Sequence, residues 1–401
     1  MENLNFSVSP FPRVQSFLAN NFPSIVVMLT RGCSLGYSIV KKNRKTVLAE
    51  YIWIDGYGGT RSKARVLETD LVDNVKEVPE WSFDSSSTGQ GTARTSDALL
   101  IPRSIFKDPF RKGNNILVLA ETYCADGSPH KTNSRATAEK LFKTAPELEP
   151  WFGIEQEFFL MKKGIPIAFA KDNGLLHEPQ KYYYCGTGGE YIHGRECVEE
   201  MVKAGLHAGI GLTGLNGEVA PAQWEYQVLG EGIEAADQLT VMRWISSRVA
   251  EKYGWDVDLS PKPIKGDWNG SGAHVNFSTK PMREEGGLKV IEKAISSLEK
   301  RHLEHISIYG SGNKDRLKGT HETSSWKEFS HDKYNRGTSI RISPETVKKG
   351  KGYFEDRRPA SSMDPYLVTS AIFHTTSIGK QTEWPFRRFA SEDFKEVLKM
   401  P

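Results

Sequence analysis

The run Trp151-Phe152-Gly153-Ile154-Glu155-Gln156-Glu157-Phe158-Phe159 sets two carboxylates one residue apart inside an apolar, aromatic stretch. In a strand, residues i and i+2 project from one face, so Glu155 and Glu157 point the same way. In isolation an E-x-E usually marks a solvated strand face. Here the flanking residues are fit for a core, where two like charges repel and resist burial, and a divalent cation would answer both difficulties. A second pair, Glu218 and Glu225, stands seven residues apart with Pro221 between them. A bend at that proline can bring both onto one side of a hairpin. A third run, Gly270-Ser271-Gly272-Ala273-His274-Val275-Asn276-Phe277-Ser278, places one imidazole on an alternating strand, after glycines that let backbone approach a ligand. Taken alone, a strand histidine is more often structural than a ligand.

A fourth run, Gly352-Tyr353-Phe354-Glu355-Asp356-Arg357-Arg358-Pro359, mixes acid, base and aromatic, and by itself reads as a surface salt-bridge cluster. Two further runs bring arginine: Arg316 through Glu322, and Asn335 through Arg341, where strand alternation can set Arg341 near Arg336 around a common anion. The planar guanidinium fork suits phosphate and carboxylate oxygens. Collected, these residues describe a site of hard oxygen donors plus one imidazole, suited to Mg²⁺ or Mn²⁺ and opposed by arginines. Such a site could position and neutralise a phosphoryl group. The sequence holds no Walker motif and no kinase catalytic-loop set, so a nucleotide must be held in another way.

The elements that must carry these residues are legible in outline. From Thr46 to about Tyr123 the pattern is β-structure with turns: Val47–Ile54 is a strand, Asp55-Gly56 and Gly58-Gly59 mark a tight reversal, and Asn115–Glu121 is another strand. Asp84–Thr95, rich in Ser, Thr and Gly, reads as a functional loop too polar to pack. Beyond Pro129 the period changes. Ser134–Phe142 is a helix with an N-cap at Asn133 or Ser134. Trp151–Leu160, Gly272–Ser278 and Gly337–Ile342 are strands. Glu196–Ala208 and Glu234–Tyr253 are helices, the latter stopped by Gly254. Val290–Ile306 is expected as one helix, with Ile291, Ala294, Ile295 and Leu298 on its buried stripe. The chain is therefore mixed α+β: an N-terminal extension with helical character over 1–44, a small β-rich domain over 45–125, and a large domain over 126–401.

Composition narrows the partners. The 401 residues carry a net charge of only +3, which gives no electrostatic case for nucleic acid or a membrane surface. The longest apolar run near the start, Ile25–Leu29, falls far short of the roughly 18 residues of a membrane span. Four cysteines without CxxC spacing fit a reducing compartment better than a disulfide framework or a zinc cluster. The opening residues lack the basic start and long apolar stretch of a secretory signal, which points to the cytoplasm while leaving an organelle transit peptide open.

The runs Trp53–Gly56 with Arg61-Ser62-Lys63, Pro79–Asp84, Trp151–Glu157, Tyr183–Gly186, Glu218–Glu225, Pro261–Ser278, His321–Ser324 and Tyr353–Pro359, in this order, closely resemble the eukaryotic-type glutamine synthetase family. The resemblance runs from about Glu50 to about Thr375. It implies a small β-grasp domain and a catalytic domain whose curved antiparallel sheet forms an open barrel flanked by helices. It implies synthesis of glutamine from glutamate, ammonia and ATP for nitrogen assimilation, with two to three Mg²⁺ or Mn²⁺ ions per site. By the family pattern Glu157, Glu218 and Glu225 would hold one metal near the substrates glutamate and ammonium, and Glu155, His274 and Glu355 a second beside the ATP phosphates. Arg336, Arg341 and Arg357 match phosphate-gripping arginines, with Arg357 in the catalytic group; Arg316, Asn269 and Gly270 match positions around glutamate. Trp151, Asn276, Ser278, Arg283 and Tyr353 match nucleotide contacts. Glu322 matches a lid glutamate and Asp84 an aspartate that takes a proton from ammonium. The family also implies a decamer of two pentameric rings with active sites shared between subunits.

Two departures stand out. Ser85 sits where the family usually has glycine, and would strain the loop if that position needs φ > 0. Lys181-Tyr182-Tyr183-Tyr184 replaces the usual Gly-Pro-Tyr-Tyr. Two rival readings remain at this stage: a related ligase joining glutamate to a larger amine, and a catalytically dead scaffold, against which all six metal-matching positions are intact.

Overall fold

The computed structural model describes residues 45–92, 94–169, 182–379, 383–395 and 397, so the expected extension over 1–44 and Lys181 lie outside the described residues. The first sheet is built from β1 (Val47–Ile54), β2 (Thr60–Leu67), β3 (Trp81–Asp84), β4 (Asp97–Lys107) and β5 (Ile116–Cys124), in the order β2-β1-β5-β4-β3. β1 and β2 form the expected hairpin. The Asp55 carboxylate closes its turn, accepting from the backbone N–H groups of Tyr57 and Gly59 at 2.9 Å each. β1 and β5 run parallel and the other neighbours antiparallel. The period of two divides this sheet between two cores. Val47, Ala49, Tyr51 and Trp53 pack with Val118 and Ala120 into a small core, while Ile52, Leu117 and Leu119 face the large one.

The loop after β3 differs from the sequence expectation. Ser85, Thr88 and Gln90 are buried. The Gln90 amide donates to Ile54 O and Thr122 Oγ1 at 3.3 Å and to Thr132 Oγ1 at 3.2 Å, which explains how so polar a run can pack. Gly56 is required beneath this loop, because a Cβ there would stand 2.3 Å from Gly89 O. Ser85 is not among the positive-φ residues; it opens a short 3₁₀ turn and its hydroxyl donates to Ser96 O at 2.8 Å. The conditional strain at this position is therefore absent.

The second sheet curls into a half-barrel around β6 (Trp151–Lys162). The strands β7 (Ile165–Pro166), β8 (Leu212–Gly217), β9 (Gln223–Glu231), β10 (Asp256–Asp258), β11 (Ala273–Ser278), β12 (His331–Lys333), β13 (Ile340–Ile342) and β14 (Phe354–Asp356) complete it, in the order β12-β13-β14-β11-β6-β9-β8 with β7 and β10 on the far end of β6. Along β6, Phe152, Ile154 and Phe158 enter the large core, leaving Gly153, Glu155 and Glu157 on the hollow side.

Helices back the core face. α1 (Ser134–Phe142) is capped by Asn133, whose side-chain oxygen accepts from Ala136 N at 3.0 Å. α2 (Arg195–Ala208) and α3 (Ile233–Tyr253) follow, α3 ending at Gly254 with φ 66°. The single helix expected over Val290–Ile306 is two, α4 (Gly287–Lys300) and α5 (His302–Ile308), separated by Arg301 at φ −114°, ψ 21°. The break turns two buried histidines toward acceptors and donors: His302 Nε2 lies 2.9 Å from Trp326 O and His305 Nε2 2.8 Å from Thr375 Oγ1. The expected stripe of α4 is buried as read. α6 (Pro365–Phe373) is buried throughout. Among the described residues, no helix is long and apolar enough to cross a membrane.

Candidate active site

Strand register assembles the site. Opposite Glu155 on β6 stands His274 of β11, and opposite Glu157 stands Glu225 of β9. Glu355 of β14 pairs with Asn276, one strand further on. The backbone between β8 and β9 reverses at Pro221, with Glu218 N donating to Gln223 O at 2.9 Å, so Glu218 and Glu225 fall on one side of the expected hairpin. His274 Nδ1 is 3.3 Å from Glu155 Oε2 and 3.7 Å from Glu355 Oε1, while its Nε2 is 3.8 Å from Glu157 Oε1.

Among the described residues, two groups have ligand atoms within 4.8 Å of one another: Glu155, His274 and Glu355, and Glu157, Glu225 and His274. The first is the second set implied by the family resemblance. The second differs from the other set, because His274 stands where Glu218 was expected. Glu218 lines the same cavity, but its carboxylate accepts from Asn216 Nδ2 at 2.9 Å and from Val219 N at 3.2 Å.

The electrostatics show what this cluster needs. Burial, followed by mutual repulsion, pushes Glu218 up to about 8 and Glu225 up to about 9. Burial pushes Glu157 up to about 7 although Arg316 and Arg357 oppose the shift. His274 is held well below its ordinary value by burial and then by Arg357. A buried neutral imidazole among carboxylates that hold protons for want of positive charge fits a hard divalent cation.

Arginines line the same cavity, of about 290 Å³. Glu355 is gripped by Arg357 Nη1 at 2.6 Å and Arg341 Nη1 at 2.8 Å. Arg336 also lines the cavity, and its carbonyl accepts from Arg357 Nε at 2.8 Å. Buried Arg316, pushed down to about 10 by that burial, donates to Arg357 O at 2.9 Å and lies 3.1 Å from His274 Nε2. A guanidinium can only donate, so that ring nitrogen accepts. Asn269 and Gly270 lie beside Arg316, and Glu322 completes the rim. The run that read as a surface salt-bridge cluster is thus buried: Glu355, Asp356, Arg357 and Arg358 are all at most 5% exposed.

The residues expected to contact a nucleotide lie outside this cavity's lining: Trp151 on β6, Asn276 and Ser278 on β11, Arg283 in the short helix Lys280–Arg283 and Tyr353 just before β14. Ser278 pairs with Trp151, and the Arg283 guanidinium sits 4.0 Å from the Trp151 ring centroid while donating to Ser278 Oγ at 3.0 Å. Trp151 and Tyr353 are partly exposed aromatics, 44% and 38%. Asn276 connects the two regions, donating to Glu155 Oε1 at 2.7 Å. Asp84 is not among the cavity residues. It caps the turn after β3, where hydrogen bonds from Ser86 and Ser87 hold its exposed carboxyl below the ordinary range.

Sequence reading missed Tyr184, Asn216, Gln227, His321 and Thr323, which also line the cavity. Two were accessible to the rule that paired Glu155 with Glu157. Gln227 is i+2 from Glu225 and donates to its Oε1 at 2.9 Å, and Asn216 stands in the same relation to Glu218. Tyr184 follows from no periodicity.

Comparison with known proteins agrees with this geometry. A family model described as the glutamine synthetase catalytic domain matches residues 131–303. The chain is 53% identical over 333 residues to a cytosolic isozyme of glutamine synthetase from Daucus carota, covering 82% of this chain and 94% of that one. It is 52% identical over 338 residues to the cytosolic isozyme 1-3 of Arabidopsis thaliana, covering 83% and 95%. With a chloroplastic glutamine synthetase of Brassica napus it shares 51% identity over 340 residues, covering 84% and 79%.

Proposed function

The chain belongs to the glutamine synthetase family and is a glutamate–ammonia ligase, and from that premise we propose that it joins ammonia to the γ-carboxylate of L-glutamate through a γ-glutamyl phosphate, with cleavage of ATP to ADP and phosphate. The observation that carries this reading is the meeting, at His274, of two ligand groups that line one cavity with Arg336, Arg341 and Arg357. A carboxylate is a poor electrophile because oxide is a poor leaving group; phosphorylation supplies a better one. Glu157, Glu218 and Glu225 would hold one Mg²⁺ or Mn²⁺ ion and Glu155, His274 and Glu355 another, which would supply Lewis acidity and charge neutralisation.

The remaining steps belong to the side chains. Arg316, Asn269 and Gly270 hold glutamate. Arg336 and Arg341 grip phosphate oxygens, and Arg357 neutralises charge that develops on the transferred group. Trp151, Asn276, Ser278, Arg283 and Tyr353 hold the nucleotide. Glu322 screens the acyl phosphate from water. Asp84, kept ionised by its serine donors, attracts ammonium and takes its proton. Because Asp84 stands apart from its own chain's cavity, we assign it to the site of a neighbouring subunit, in a decamer of two pentameric rings. The cytoplasm is the assigned location, in line with the cytosolic relatives. The test is glutamine formation from glutamate and ATP with ammonium, methylamine or ethanolamine as acceptor. Ammonium is expected to give the highest kcat/KM; preference for a larger amine would overturn the assignment.

A further inference from the structure

The lid residue Glu322 sits in an unusual backbone. Lys318 and Ser325 form an antiparallel bridge, and Trp326 N donates to Leu317 O at 3.1 Å, so residues 317–326 make a short hairpin. At its tip Thr323 N donates to Thr320 O at 3.1 Å, and the two residues between, His321 and Glu322, have φ of 52° and 57°. Two successive positive φ angles are the pattern of a type I′ turn, which favours Gly, Asn and Asp. Histidine and glutamate fit poorly there, so contacts must hold the tip in shape.

Three kinds of contact do so. Thr323 Oγ1 donates to Thr320 O at 2.8 Å and Arg316 O at 3.2 Å. Arg357 Nη2 donates to Glu322 O at 3.3 Å. His321 Nε2 lies 2.9 Å from Asp267 Oδ1. This last contact ties the hairpin to a different segment, the loop in which Asn269 and Gly270 follow Asp267 by two and three residues. The Asp267 side chain is 86% exposed, so the pair lies at the rim. Exposed pairs are weak, which suits a contact that must break at each turnover.

We propose that His321 and Asp267 form a latch, a pair of positioning residues that closes the Glu322 hairpin when the glutamate-binding loop is in place. The proposal rests on the reading of Glu322 as the lid. Glutamate held at Asn269 and Gly270 orders the loop, the loop presents Asp267, and the latch lowers the free energy of the closed hairpin. Closure is thereby conditional on substrate, before an acyl phosphate exposed to water can form.

The test compares phosphate released with glutamine formed in Asp267→Ala, His321→Asn, Asp267→Asn and Glu322→Ala. Wild type is expected near a ratio of one. Asp267→Ala and His321→Asn should raise it about threefold as water reaches the intermediate, and Asp267→Asn, which keeps an acceptor oxygen, should stay near wild type. Hydrogen–deuterium exchange across 318–325 should be faster in the first two variants with glutamate bound. Asparagine tolerates positive φ, so His321→Asn should keep its thermal midpoint while losing coupling, an outcome that general destabilisation does not produce. Glu322→Ala raising the ratio while Asp267→Ala and His321→Asn leave it at one would overturn the latch alone. A ratio of one in Glu322→Ala would remove the lid assignment and the latch with it.

Discussion

At the scale of single residues, His274 is the hinge of the site. Sequence reading allotted it to one ligand set, yet its two ring nitrogens face carboxylates of both groups. Spacing along one strand cannot disclose this; it depends on which residues of β6 and β14 lie opposite β11, and which of β9 lie opposite β6. His274→Ala should weaken the ion held with Glu155 and Glu355 by more than about 1.4 kcal/mol, or tenfold, because one of that ion's three protein ligands is lost. Calorimetric titration of Mn²⁺, without and with ATP, measures it. An unchanged affinity in both titrations would remove His274 from the metal cage.

At the scale of elements, the boundaries that were legible belong to segments whose local pattern and tertiary role agree. The alternation of β6, the Asn133 cap of α1 and the Gly254 stop of α3 are of this kind. The break at Arg301 and the exposed strand β12 were not legible, since each answers to distant partners rather than to its own periodicity. The support behind β6 escaped for the same reason. Gln156 faces away from the carboxylates, and half-buried Arg243 of α3 donates to its Oε1 at 2.9 and 2.6 Å, to Ser361 O at 2.9 Å and to Met363 O at 2.8 Å. This ties the metal-facing strand to the segment following β14. Arg243→Met removes this donor from the buried Gln156 Oε1 and Met363 O, while Ser361 O keeps a bond from Gln156 Nε2 at 3.0 Å, and should cost about 3 kcal/mol of unfolding free energy. Urea unfolding checks it; a loss below about 1 kcal/mol would mean that the network relaxes around the methionine.

At the scale of the whole molecule, the cavity and Asp84 belong to different sheets. The cavity-lining carboxylates project from the half-barrel, whereas Asp84 ends the edge strand β3 of the first sheet, exposed and outside the cavity lining. A polar loop with a buried anchor at Ser85, Thr88 and Gln90 is built to present that carboxylate outward. On the proposed function, each active site joins the Asp84 loop of one subunit to the carboxylate cage of its neighbour. The direct measurement is complementation: Asp84→Ala and Glu355→Ala chains, each nearly inactive, are dissociated, mixed, reassembled and assayed for glutamine, with mixed oligomers verified by mass. The account predicts recovered activity, because in some interfaces an intact loop meets an intact cage. Activity no higher than either parent, in oligomers known to be mixed, would contradict it.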